Sequence, residues 1–303
     1  MRRWWSVLVA VSVAGVLLSG CGQPAGIDGA LVDDWAPLAE PKPFVPPVGT
    51  CHPAEPVKVA PLTAYEPVDC AAPHRTETVH VGTFSGAAAS REAPPAEQSA
   101  EIRTAFGECD GKAREYVGNE WRAGRLRMEV ALPSPVAWTG GARWFRCDMA
   151  EVASVEPTSG AVVNRTASVR GALKAPSPLA LACYSIRRSA QRTITGMPAV
   201  DCAKPHNSEF VGVWNAPEIP FPTRDIDWVR LFDECRKLIA TYVGAPDDAN
   251  MRFRTDVLAL PGRQADWQAG NRGVRCYLGL YGQGVVSRSV KGAGLAALPV
   301  PTN

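Results

Sequence analysis

The feature that most constrains this chain is a ten-residue pattern that occurs twice. Val68 to Glu77 and Val200 to Glu209 both read Val-Asp-Cys-x-x-Pro-His-x-x-Glu. Each copy has a cysteine nineteen residues upstream, Cys51 and Cys183, and two more downstream, Cys109 with Cys147 and Cys235 with Cys276. Eight cysteines thus fall into two sets of four, and the fold must satisfy the same cross-linking pattern twice. Four cysteines permit three pairings. The interval of the first pair recurs unchanged while the others drift, which favours Cys51–Cys70, Cys109–Cys147, Cys183–Cys202 and Cys235–Cys276. A bridge closing the short loop is worth about 3 kcal/mol in the chain-entropy model. No Cys-x-x-Cys occurs, which argues against a redox or thiolate-metal centre.

The ninth cysteine has a different setting. Arg2 and Arg3 precede an apolar run from Trp4 to Leu18, and Leu18-Ser19-Gly20 leads directly into Cys21. A basic start, a short apolar stretch and small residues make a secretory signal rather than a membrane-spanning helix. The cysteine after it marks residues 1–21 as a lipoprotein signal with Cys21 lipidated. Export then places the other eight cysteines in a compartment where disulfides persist. The expected location is the extracytoplasmic face of the cell membrane, with the membrane itself as a partner through the lipid. Residues 22–48, with Pro41, Pro43, Pro46 and Pro47, read as a tether. A net charge of +2 with scattered basic residues excludes a nucleic-acid partner from the expectation.

Periodicity gives each half the same order of elements. Val79 to Phe84 alternates as a strand does, and Ile102, Ala105, Phe106, Cys109, Ala113, Tyr116 and Val117 recur at helical spacing before Gly118. Met128 to Leu132 and Trp144 to Val152 read as two further strands. In the second half the helix runs from Trp228 to Val243 with Asp227 as its cap and Gly244 as its stop. Both helices carry Phe-x-Glu-Cys-x6-Tyr-Val-Gly. The expected class is α+β: two tandem homologous domains, each a small, mainly antiparallel sheet packed on one helix and stapled by two disulfides. The domains span 49–157 and 179–291, with a linker at 158–178 and a loose tail at 292–303.

Two repeated constellations are chemically suggestive. His74 with Glu77, and His206 with Glu209, pair an imidazole with a carboxylate, which can share a proton or ligate a metal. Two ligands per copy do not complete a site, so the favoured reading is that each imidazole bonds a nearby carbonyl or its own glutamate and fixes the turn. Trp138 with Arg143, and Trp267 with Arg272, lie in Trp-x2-Gly-x-Arg-x2-Arg-Cys and suit a cation–π clasp or a binding surface. His52 and His80 have no counterpart in the other half and read as incidental. No catalytic or metal residue is assigned and no cofactor is expected.

Together the Val-Asp-Cys-x-x-Pro-His-x-x-Glu pattern, the helical cysteine and the late Trp-x2-Gly-x-Arg-x2-Arg-Cys resemble the septum-formation domain of actinobacterial exported proteins. The resemblance implies a place near cell division or envelope growth and transfers no catalytic residue. The resulting expectation is a non-enzymatic envelope protein that binds an envelope or septal protein or glycan. Its rivals are a metal-dependent or acid–base enzyme using the His–Glu pairs, and a carrier of a lipid or small ligand, which an apolar cavity would favour.

Overall fold

A computed structural model describes residues 40, 42–60, 66–156, 160–191, 193–248, 251–280 and 284–298. The signal and Cys21 lie outside the described residues, as does the tether apart from residues 40 and 42–48. Among the described residues no helix is long and apolar enough to cross a membrane.

In the first half, β1 (Cys51–His52), β2 (Val59–Ala60), β3 (Thr76–Thr83), α1 (Ala100–Val117), β4 (Leu126–Pro133), α2 (Pro135–Thr139) and β5 (Trp144–Glu151) follow one another. The sheet order is β1-β3-β5-β4-β2, antiparallel except where β2 joins β4 in parallel. Helix α1 starts where the Ser99 hydroxyl accepts from the Ile102 N–H and stops at Gly118, whose φ of 85° only glycine adopts readily. The seven apolar positions read from its periodicity are all buried, in one core with Val79, Met128, Phe145 and Met149 of the sheet.

The second half continues with β6 (Cys183–Tyr184), β7 (Arg187–Arg188), β8 (Ile194–Gly196), β9 (Ala199–Val200), β10 (Ser208–Asn215), α3 (Asp225–Val243), β11 (Asp256–Leu260), α4 (Gln264–Gln268) and β12 (Gly273–Gly279). Its larger sheet has the order β11-β12-β10-β6-β9, so β6, β10, β12 and β11 repeat β1, β3, β5 and β4. The fifth strand differs, sitting on opposite edges in the two sheets. Both long first strands carry a register shift at the same place, between Thr78 and His80 and between Phe210 and Gly212. Helix α3 begins earlier than its apolar stripe suggests. Asp227 sits inside the first turn and its carboxylate accepts from the Arg224 N–H at 3.1 Å.

The four bridges join Cys51–Cys70, Cys109–Cys147, Cys183–Cys202 and Cys235–Cys276. In each half the second bridge ties the long helix to an inner strand, β5 or β12.

Three expectations about boundaries need correction. The 158–178 segment is not a free linker, because Val169 and Leu173 are buried in the first core. The chain after Gly292 is not loose as far as residue 298, since Leu298 is 3% exposed and packs with Ile239 and Met251. Residues 43–303 form one compact unit rather than two separable bodies. Apolar side chains in both supposed spacers decide this, since leaving them in water would forfeit their burial energy.

The halves meet at the 122–126 segment of the first and at residues 179–181, 271, 273 and 275 of the second. The backbone of 123–125 pairs with that of 179–181, by Arg125 N to Leu179 O and Leu181 N to Ala123 O, each 2.8 Å. Arg275 on β12 donates from Nε to the Arg122 carbonyl at 2.8 Å and from Nη2 to the Leu126 carbonyl at 2.9 Å. In return, Arg122 donates from Nε to the Asn271 side chain at 2.9 Å while pairing with Asp110 and Glu120. Gly273 makes room for this guanidinium, because a Cβ there would overlap it.

Candidate functional site

The two His–Glu pairs sit just before and at the start of β3 and β10, where the first bridge of each half holds the incoming turn. All four side chains are at most 1% exposed. The His74 Nδ1 lies 2.9 Å from the Ala72 carbonyl and the His206 Nδ1 2.8 Å from the Lys204 carbonyl, so each ring closes its own Cys-x-x-Pro-His turn.

Each glutamate is the anchor of a strap. The Glu77 carboxylate accepts from Tyr116 Oη on α1 at 2.5 Å, Ser168 Oγ at 2.6 Å and Val169 N at 2.7 Å. Glu209 accepts from Tyr242 Oη on α3 at 2.7 Å, Ser289 Oγ at 2.7 Å and Val290 N at 2.9 Å. The straps are pinned at their far sides too, by paired backbone bonds between His74 and Arg165 and between His206 and Val286. They then run along the helix ends, where Gly171 and Gly292 donate to the Tyr116 and Tyr242 carbonyls. Burial, followed by the bond to Glu77, pushes the Tyr116 hydroxyl up to about 12. The same burial raises Tyr242 as well.

The partners Tyr116, Ser168, Tyr242 and Ser289 were not singled out from the sequence as site residues. A signal was present. The tyrosines end the shared helix pattern, and Ser168-Val169-Arg170-Gly171-Ala172 returns as Ser289-Val290-Lys291-Gly292-Ala293. The basic residue of each strap lies over the tyrosine ring, Arg170 at 4.2 Å and Lys291 at 6.0 Å.

The copies differ at one atom. His206 Nε2 lies 3.1 Å from Glu209 Oε1, so both ring nitrogens face acceptors and full pairing takes a proton on each, or one on the carboxylate. The corresponding His74 Nε2 is buried with no hydrogen bond among the described residues. Cys51 and Cys183 complete three-donor groups with these pairs, all ligand atoms lying within 4.8 Å of one another. Both sulfurs are bonded to another sulfur and offer no thiolate, while the carboxylate oxygens are filled by protein donors. The arrangement is built to hold turns and straps in place.

The tryptophan–arginine signatures are also inward-facing. Trp138 and Trp267 lie on the short helices α2 and α4, not in loops, and are at most 1% exposed. Their indole N–H groups donate to the Arg91 and Ile219 carbonyls at 2.8 and 2.9 Å. Arg143 stacks 4.3 Å from the Trp138 ring and donates to the Ala89 and Trp138 carbonyls, and Arg272 lies 5.6 Å from Trp267 and donates to Ile219 O. Each pair clasps the chain that leaves β3 or β10 onto the last hairpin of the sheet. The indoles are buried, while Arg143 and Arg272 are half-buried.

Two histidines read as incidental have defined surroundings. His80 Nε2 lies 2.7 Å from Glu108 at the surface of α1. His52 is buried and bonds Thr78, which donates to Asp148, itself paired with Arg146 at 2.6 Å. Burial first, then Arg146 and His74, pull the His52 imidazole down to about 4. Burial raises Asp148 despite its arginine partner. In the second half the matching positions carry Tyr184, Phe210 and Tyr277, an edge-to-face aromatic cluster. At this place the two sheets differ in chemistry, a polar cluster in the first and an apolar cluster in the second.

The septum-formation family model matches residues 48–276 and so includes both copies of the paired motifs. The chain belongs to the septum-formation family. The match starts just before Cys51 and ends at Cys276, so the stapled framework of this septum-formation protein is the part it shares with the family. No curated protein and no solved structure matches it. The strap at 286–298 falls after the matched region, although it completes the Glu209 network.

Proposed function

We propose that the chain is a non-enzymatic, lipid-anchored protein of an actinobacterial cell envelope that binds an envelope or septal partner, a protein or a glycan. On this reading its two halves are tandem copies of one stapled unit, held off the extracytoplasmic face of the membrane by the lipid on Cys21 and the segment to residue 48. Family membership supports the setting near envelope growth and division. The observation that carries the non-enzymatic part is the burial of both His–Glu pairs, whose polar atoms are spent on fastening turns and straps. Residues so enclosed cannot meet a substrate without opening the fold.

The test uses the full, oxidised chain as bait in envelope extract, with chemical cross-linking before washing. One protein or glycan class should be retained reproducibly, and reduction of the bridges should release it. Turnover of an envelope substrate by the purified chain, abolished in both His74→Ala and His206→Ala, would overturn the proposal.

A further inference from the structure

An apolar cavity of about 340 Å³ lies against the first sheet, between β4, the start of α1 and the 93–97 loop, and reaches Asp266 and Ala269 of the second half. Its volume is in the range that small-molecule sites occupy, and its place between the halves is where such sites tend to form. The wall is largely apolar, with Pro94, Ile102, Phe106, Met128, Leu132 and Pro133. Three carboxylates, Glu97, Glu129 and Asp266, line it. Glu129 is 15% exposed, its nearest cation is Arg263 at 3.6 Å, and no hydrogen bond reaches it among the described residues. Arg263 is already committed, since it grips Asp266 with two bonds of 2.8 Å. At the rim, Lys58 is likewise taken by Glu97 at 2.6 Å. Glu97 and Asp266 thus each hold a hydrogen-bonded cation, whereas Glu129 has only the longer ion pair to Arg263.

We propose that this cavity binds an aliphatic ligand ending in a protonated primary amine, with the chain along Phe106, Met128 and Leu132 and the ammonium on Glu129. An ammonium would give Glu129 the charge-assisted hydrogen bonds it lacks, and the aliphatic stem would leave water for the apolar wall. A carboxylate-ended chain would bring a third negative charge beside Glu129 and Asp266. The inference does not rest on the partner-binding function above, since a small amine can bind whether or not an envelope macromolecule does. Burial, then Asp266, raises the Glu129 carboxyl against the pull of Arg263, Lys58 and Arg127.

The test is ligand-detected NMR on the full chain in lipid nanodiscs, with hexylamine, hexanol and hexanoate as probes, and empty nanodiscs subtracted. Hexylammonium should bind at least tenfold more tightly than hexanoate, with hexanol between them. Glu129→Gln should bring hexylammonium down to the level of hexanol while leaving hexanol unchanged. Ala96→Trp, an exposed loop position that would fill the mouth, should abolish binding of all three. Hexanoate binding as well as hexylammonium would overturn the charge assignment. Unchanged binding in Ala96→Trp, or no binding by any probe, would overturn the site.

Discussion

Gly82 and Trp214 hold the same place on β3 and β10, and their cross-strand partners compensate in size. Gly82 faces Phe145, and Trp214 faces Val274. A Cβ on Gly82 would fall within the Phe145 ring, so the small residue exists to seat the large one. Gly82→Ala should destabilise by about 1–3 kcal/mol, as overpacking does, and Phe145→Val in the same chain should recover part of that loss. Chemical denaturation of the two variants checks this. His52 supplies a pH-dependent counterpart. Its folded value of about 4 lies below the ordinary 6.5, so the fold binds fewer protons than the unfolded chain between them, and stability falls as pH drops through that window. The contribution amounts to about 3 kcal/mol at most. Asp148, raised by burial, works in the opposite sense, so the clean measurement compares wild type with His52→Gln in urea from pH 4 to 7. The variant should show the shallower slope. None of this was legible in the sequence, where Gly82 looked like an ordinary strand residue and His52 like a surface one. Size and charge compensation are properties of pairs that only the sheet register brings together.

The straps, as elements, behave differently from the strands they cover. Each is a short irregular segment that buries a few apolar side chains, Val169 and Leu173 or Val290 and Leu298, and is held by the carboxylate of Glu77 or Glu209 and by a tyrosine from the helix behind it. Hydrogen bonds to charged groups contribute about 1.5–3 kcal/mol. Tyr116→Phe and Tyr242→Phe should each cost an amount in that range, and amide exchange should rise selectively at Val169 or Val290, in the half that carries the substitution. Equal exchange across both halves would mean that the straps are not local units. The core strands and helices were readable because their apolar residues follow periods of two and 3.6. The straps follow neither period, and their repeated Ser-Val-basic-Gly-Ala sequence lies at different distances from the preceding cysteine in the two copies. Proline, glycine and serine content made them look like a linker and a tail.

For the molecule as a whole, the decisive contact is Arg275, a residue of the repeated Trp-x2-Gly-x-Arg-x2-Arg-Cys pattern. Its first-half equivalent, Arg146, stays within its own sheet and pairs with Asp148, whereas Arg275 crosses to the carbonyls of Arg122 and Leu126. Burial pulls its guanidinium down to about 10, an indication of how far it has left water. Arg275→Leu would strand two buried carbonyls and should cost about 2–4 kcal/mol. It should also split a single thermal transition into two, read by calorimetry, because each half keeps its own core and two bridges. A single unshifted transition would show that the other contacts suffice.

The sequence by itself determined the duplicated α+β unit, the long helices and the family resemblance, and its repeat favoured the cysteine pairing that the structure contains. Those features rest on local periodicity and on identical spacing, which survive in one dimension. Only the tertiary structure decided that the His–Glu pairs fasten straps, that the tryptophan–arginine pairs face inward, and that residues 43–303 form one compact unit. The physical reason is that each of these depends on which buried donor meets which acceptor across the sheet, and a repeat in sequence leaves that open. Arg146 and Arg275 make the point: one motif position and one strand register place them alike, yet their neighbours send one to a carboxylate and the other to the opposite half.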